Sequence, residues 1–126
     1  MKDVAVNSVP FVRVILYVRD MERSAAFYAR YFGFIRIETG VDDLIRLVST
    51  QNGLGLTLLQ AAKSVKLGQA SVKLVFQVDD VEAFKVRSAA AGLKFGATHV
   101  GTDYAFANAK DPSGNSIQIS SRRFKQ

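Results

Sequence analysis

Two cations, Arg13 and Lys73, set the chemical question that this sequence poses. Each lies in a run of β-branched and aromatic residues, Phe11 to Val18 and Ser71 to Val78, in which side chains alternate between two faces. With Val12, Val14 and Leu16 on the apolar face of the first run, Arg13, Ile15 and Tyr17 share the other. With Val72, Leu74 and Phe76 on one face of the second, Lys73, Val75 and Gln77 share the other. A guanidinium offers a two-pronged fork to carboxylate or phosphate and an ammonium offers a point charge, so the natural guest is a small anionic or polar-aromatic molecule. Gln118 joins them if Ile117 and Ile119 point to the core, and Tyr17, Tyr104 and Phe106 read either as pocket walls or as core. A second reading of the cations stays open: their stems cover apolar surface and their charges pair with Glu38 or with an acid of another chain.

Most other chemistries lack their parts. The chain has no cysteine, which excludes disulfide scaffolds, thiolate metal sites and cysteine nucleophiles, and which makes the cytoplasm the default compartment. Its one histidine, His99, excludes any intrachain site that needs two imidazoles. No local motif sets serine, histidine and carboxylate together, and His99 reads as a hydrogen-bonded or exposed strand residue rather than a base. No catalytic residue is assigned on these grounds.

Stepping from these residues to the elements that carry them, the Phe11–Val18 strand is followed by Asp20 as a helix N-cap. The helix places Met21, Ala25, Tyr28 and Phe32 on one stripe and stops at Gly33. Strands over Phe34–Thr39, Leu44–Ser49 and Leu54–Gln60 follow. After a connector, Ala61 to Ala70, the order returns: a strand over Ser71–Val78, an Asp80-capped helix with Val81, Phe84, Ser88 and Ala91 inward, and strands over Leu93–Val100, Tyr104–Ala109 and Ser116–Ser120. The turn Asp111-Pro112-Ser113-Gly114 has the residues of type I. Asp20 matches Asp80, Gly33 matches Gly92 and Gly53 matches Gly114, at a near-constant offset of about 60 positions. The chain therefore reads as an α+β protein of two tandem βαβββ modules, 9–60 and 71–121, within a single domain of residues 1–126.

Length and composition fit that reading. The 126 residues are 48% hydrophobic and 22% charged, enough to build a core. Lysine and arginine number 17 against 11 acidic residues, a formal charge of +6. The basic residues are scattered, clustering only at Arg122, Arg123 and Lys125, and no basic–aromatic stripe accompanies them, so nucleic acid is not the expected partner. The apolar stretch from Val9 to Val18 is cut by Pro10 and Arg13, and is far short of the ~20 residues of a membrane span. Without a charged leader or cleavage pattern it is not a signal peptide either, so no membrane partner is expected.

The segments Val14-Ile15-Leu16-Tyr17-Val18-Arg19-Asp20-Met21-Glu22-Arg23-Ser24, Phe27-Tyr28, Tyr31-Phe32-Gly33-Phe34 and Asp111-Pro112-Ser113-Gly114-Asn115 resemble the vicinal oxygen chelate superfamily of glyoxalases, bleomycin-resistance proteins and extradiol dioxygenases. The resemblance spans almost the whole chain. It implies modules curled into open half-barrel sheets with helices on the convex side, a ligand in the concave cleft, and a homodimer, for which open sheet edges and an apolar concave face give a physical motive. It also places the metal-ligand positions of the family's enzymes at Arg13, Thr57, Lys73 and Gln118. Arginine and lysine cannot ligate a divalent cation, so neither metal nor other cofactor is expected. The function implied is metal-independent binding of a small molecule, for sequestration or resistance, through Arg13, Tyr17, Thr57, Lys73, Gln77, Tyr104, Phe106 and Gln118. The alternative is a lyase, isomerase or dioxygenase-like enzyme of the same superfamily, drawing acid–base groups from Glu38, His99, Tyr17 or Tyr104, with Lys73 as a possible base.

Overall fold

A computed structural model describes residues 11–123. The expected module start at residue 9 and the basic Lys125 lie outside the described residues. The order is β1 (Arg13–Val18), α1 (Met21–Phe32), β2 (Ile35–Ile37), β3 (Leu44–Val48), β4 (Gly55–Gln60), then β5 (Lys73–Gln77), α2 (Val81–Ala90), β6 (His99–Gly101), β7 (Tyr104–Lys110) and β8 (Ser116–Ser120). The doubled βαβββ order forms two four-stranded sheets, β1-β4-β3-β2 and β5-β8-β7-β6. In each sheet the first strand runs parallel to the last, and the other pairs are antiparallel. β1 and β5 therefore stand at sheet edges, each with one side unpaired.

Both helices begin as the sequence requires. The Asp20 and Asp80 carboxylates accept from the amides of Arg23 and Ala83, each at 3.0 Å, and Glu22 and Glu82 occupy the first turns, where the helix dipole favours negative charge. Gly33 closes α1 in the left-handed region at φ 73°. One expected strand is mostly missing. Of Leu93–Val100 only His99 and Val100 are strand, within β6, because Phe95 leaves the sheet to be buried against Phe84 and a single backbone bond, Gly96 N–H to the Asn108 carbonyl at 2.9 Å, holds the segment to β7. Phe34–Thr39 likewise shortens to Ile35–Ile37.

The two modules share one core. Leu16, Val18, Ile45, Leu47, Leu56 and Leu58 of the first sheet and Ala107, Ile117 and Ile119 of the second belong to the same buried cluster. Aromatics of α1 and of the residue after its cap knit them: Phe32 stacks on Phe76 of β5 at 3.9 Å between centroids, and Tyr28 and Phe34 meet the same ring at 6.3 and 6.1 Å. Polar bonds lock the joint. Tyr28, fully buried, donates to the Asp111 carboxylate at 2.7 Å, and Tyr31 donates to the Ala91 carbonyl at 2.6 Å. Asp111 also accepts from the amides of Ser113 and Asn115 and from the Asn115 side chain, at 2.8 to 2.9 Å. The connector closes over this turn so tightly that a Cβ on Gly68 would lie 2.9 Å from the Gly114 carbonyl oxygen.

Burial, with the Asp111 charge beside it, holds the Tyr28 phenol well above its usual value of 10.0. The folded state thus keeps a proton that the unfolded chain loses near that value, so the stability from this group is complete below about pH 10 and declines as pH rises beyond it. Tyr28→Phe leaves Asp111 Oδ2 with the Asn115 side chain as its one remaining donor, and urea unfolding at pH 7 is expected to show a loss of roughly 1.5–3 kcal/mol, the worth of a hydrogen bond to a charged group. The gap between parent and variant should narrow above pH 10; a gap independent of pH would remove Tyr28 from the joint.

Candidate functional site

Because both sheets turn their apolar faces to one core, their other faces point away from it. On the first sheet the register aligns Arg13 with Gly55, Ile15 with Thr57, Tyr17 with Leu59, and Thr57 in turn with Arg46, which pairs with Ile37. On the second it aligns Lys73 with Ser116 and Lys110, Val75 with Gln118 and Asn108, and Gln77 with Ser120, Phe106 and His99. These two faces carry every site residue expected from the sequence. Apolar side chains lie open between the polar ones: Ile15 is 50% exposed, Tyr17 56% and Val75 58%.

The cations occupy separate surroundings. Arg13 lines a cavity of about 140 Å³ with Arg46, Thr57, Gly55 and Ser49, and among the described residues neither arginine has a hydrogen-bond or ion-pair partner. Lys73 lies on the other sheet, where its ammonium donates to Asn108 Oδ1 at 3.3 Å, and Gln118 Nε2 donates to the same oxygen at 3.0 Å. Lys73 and Gln77 also line an open cleft of about 1290 Å³ along β5, walled by Phe11, Phe32 and Phe34. Glu38 is exposed and pairs with neither cation, while Arg36, its neighbour in sequence, turns to Glu22 at 2.8 Å.

At the far end of the second face stand three near-parallel rings. His99 stacks on Phe106 at 5.0 Å, Phe106 lies 6.3 Å from Tyr104, and the Arg122 guanidinium covers Tyr104 at 4.6 Å. Tyr104 and Phe106 are thus half-buried on this face. Arg123 bonds Asp79 at 2.5 Å. Three residues of the two faces escape the sequence reading as site residues: Arg46, Asn108 and Lys110. Alternation holds the signal for them, since Ile45 and Leu47 turn Arg46 outward, and Ala107 and Ala109 do the same for Asn108 and Lys110.

The donor set at the family's metal positions does not suit a divalent cation. Arg13 and Lys73 bring positive charge and no lone pair, Thr57 is a neutral hydroxyl, and the Gln118 amide oxygen is the one neutral donor left, too few for a divalent cation. No group of three histidine, cysteine or acidic residues able to hold a metal occurs among the described residues. Among them, too, no helix is long and apolar enough to cross a membrane.

Paired βαβββ modules, each with an open mixed four-stranded sheet, define the class. The chain belongs to the Glyoxalase/Bleomycin resistance protein/Dioxygenase superfamily, whose family model matches residues 11–119. Comparison with curated protein sequences finds no match. Among solved structures the chain is similar to TnmS3, an antibiotic binding protein from Streptomyces sp. CB03234, at 21% identity and TM-score 0.74, covering 90% of this chain and 97% of that one. It is also similar to lactoylglutathione lyase from Agrobacterium tumefaciens, at 20% identity and TM-score 0.69 over 90% and 94% of the two chains. The fosfomycin resistance protein FosX from Listeria monocytogenes aligns at 13% identity and TM-score 0.75 over 95% and 97%. At these identities the likeness is one of fold.

Elemental analysis of dialysed protein is expected to find no stoichiometric zinc, nickel, iron or manganese. One such ion per chain, lost on Gln118→Ala, would show that the positions bind metal after all.

Proposed function

We propose that this protein is a cytoplasmic, metal-independent binder of a small organic molecule, anionic or polar-aromatic, held against the concave faces of its sheets. The observation that carries the reading is the pair of faces themselves: each is turned away from the shared core, studded with cations, and interrupted by apolar side chains open to water. Arg13 and Thr57 supply charge and a hydroxyl from one wall; Lys73, Gln77 and Gln118 supply an ammonium and amides from the other. Tyr17, Tyr104 and Phe106 supply flat apolar surface. The binding-protein relative TnmS3 supports the same reading, and the unsuited donor set disfavours the enzymes of the superfamily that work through a metal.

A second copy completes the site in this reading. Half of the surface of Ile15, Tyr17 and Val75 is bare in one chain, and β1 and β5 each leave an edge unpaired. Setting the first sheet of one copy over the second sheet of the other covers both and brings Arg13 and Lys73 to one cleft.

A thermal-shift screen of small carboxylates, phosphates and aromatic acids, run with and without divalent metal, tests the binding reading: at least one compound should raise the melting temperature equally in both conditions. Stabilisation that appears only with metal would favour the lyase, isomerase or dioxygenase-like alternative. Sedimentation at micromolar concentration should give a dimer of the 13.8 kDa chain; a monomer throughout would leave each face to bind alone.

A further inference from the structure

We infer that Arg13 and Arg46 form a two-arginine cradle on the first sheet for the oxyanion end, carboxylate or phosphate, of a ligand. The inference rests on the binding reading above and assigns the charged end of the guest to one wall. β1 and β3 flank β4, so Arg13 and Arg46 approach from opposite sides of it, about 10 Å apart across two strand spacings and about 7 Å along them, a backbone separation of about 12 Å. Two arginine side chains can span that gap around one ligand group. Between them β4 contributes Gly55, which has no side chain to fill the space, and the nine-tenths-buried Thr57, whose hydroxyl is a further donor beside Arg46. A Cβ on Gly55 would lie 3.9 Å from the Arg13 Cβ and 3.1 Å from the Leu47 carbonyl oxygen.

Charge gives the cavity its preference. Both arginines line a space of about 140 Å³, neither has an acidic partner among the described residues, and no acidic residue stands in register on this face. Two unpaired guanidiniums on one side of the sheet give it a positive field with no acid to offset it, and the guanidinium fork matches the paired oxygens of a carboxylate or phosphate. Lys73, by contrast, already donates to Asn108 on the other sheet. Within one chain Arg46 is the cation nearest in function to Arg13.

The test uses the full chain at constant ionic strength with two probes, inorganic phosphate and benzoate, and follows binding by NMR titration of the arginine Nε–H and backbone amide signals. Phosphate or benzoate should shift signals of Arg13, Arg46, Gly55 and Thr57. Arg13→Gln and Arg46→Gln should each weaken that binding at least tenfold, whereas Lys94→Gln, an exposed cation after α2, should change it less than twofold. Both arginines are exposed, and unchanged urea unfolding in the variants would confirm that the fold is intact. A Gly55→Ala variant, which narrows the space without touching charge, should weaken benzoate more than it weakens chloride.

Equal weakening by Lys94→Gln, or chloride binding as tight as phosphate, would mean an adventitious ion only and would overturn the cradle. An organic ligand from the screen that binds both arginine variants as well as the parent would overturn the cradle while leaving the binding function standing. Phosphate held by the arginines in a protein that binds no organic compound would do the reverse. Which probe wins then assigns the oxyanion to a carboxylate or to a phosphate.

Discussion

Tyr28 donating to Asp111 is the contact on which the placement of both concave faces depends. The donor sits on the helix of the first module and the acceptor opens the last turn of the second, 83 residues away. Around this bond the Phe32, Phe34 and Phe76 rings close a single core between the sheets. A sheet has two faces, and once both modules spend their apolar faces on one core, the remaining faces can only look outward. A buried carboxylate at such a joint is tolerable because two backbone amides, an asparagine side chain and the phenol all donate to it. The same four bonds fix the turn that leads into β8, and hence the height at which Gln118 enters the second face.

Much of this was legible in the sequence, for a physical reason. Strand alternation is a strict period of two, so Val14, Leu16 and Val18 in the core dictate where Arg13 and Tyr17 point, and the duplicated order of elements repeats that logic at Lys73 and Gln77. Arg46 and Asn108 obey the same rule and were readable in principle. What hid them is register: knowing that a residue faces outward does not say which residue of the next strand stands beside it until the pairing is known. Leu93 to Thr98 resisted for another reason. Its β-compatible run is overridden by Phe95, whose burial against Phe84 pulls the chain off the sheet, and no local pattern announces such a tertiary choice. Tyr28 shows the limit most clearly, since its place on the apolar stripe of α1 was evident while its hydroxyl partner lies in the other module.

The positions at which relatives in the superfamily would carry metal ligands illustrate how a fold keeps its geometry while changing its chemistry. Exchange of a lone-pair donor for a guanidinium or an ammonium on the first strand of each module leaves the backbone frame untouched, because strand pairing does not depend on the outward side chain. The electrostatic sign of the cleft, however, is reversed. Side chains that would gather around a cation give way to cationic ones, which is why the proposed guest is an anion.

That reversal bears on how two copies can meet. Arg13 and Arg46 stand on one face, Lys73 and Lys110 on the other, and no residue in register on either is acidic. Bringing such faces together without a guest sets like charges against one another in a space losing its water, at a cost that grows as the effective dielectric falls. The apolar residues between them, Ile15 and Val75 among others, pull the other way, since their burial is favourable. An anion lodged between the walls removes the repulsion and leaves the apolar gain. In the proposed dimer, ligand and pairing would therefore be linked in the thermodynamic sense: a guest that binds the paired state more tightly than the separate chains strengthens the pair by the same factor.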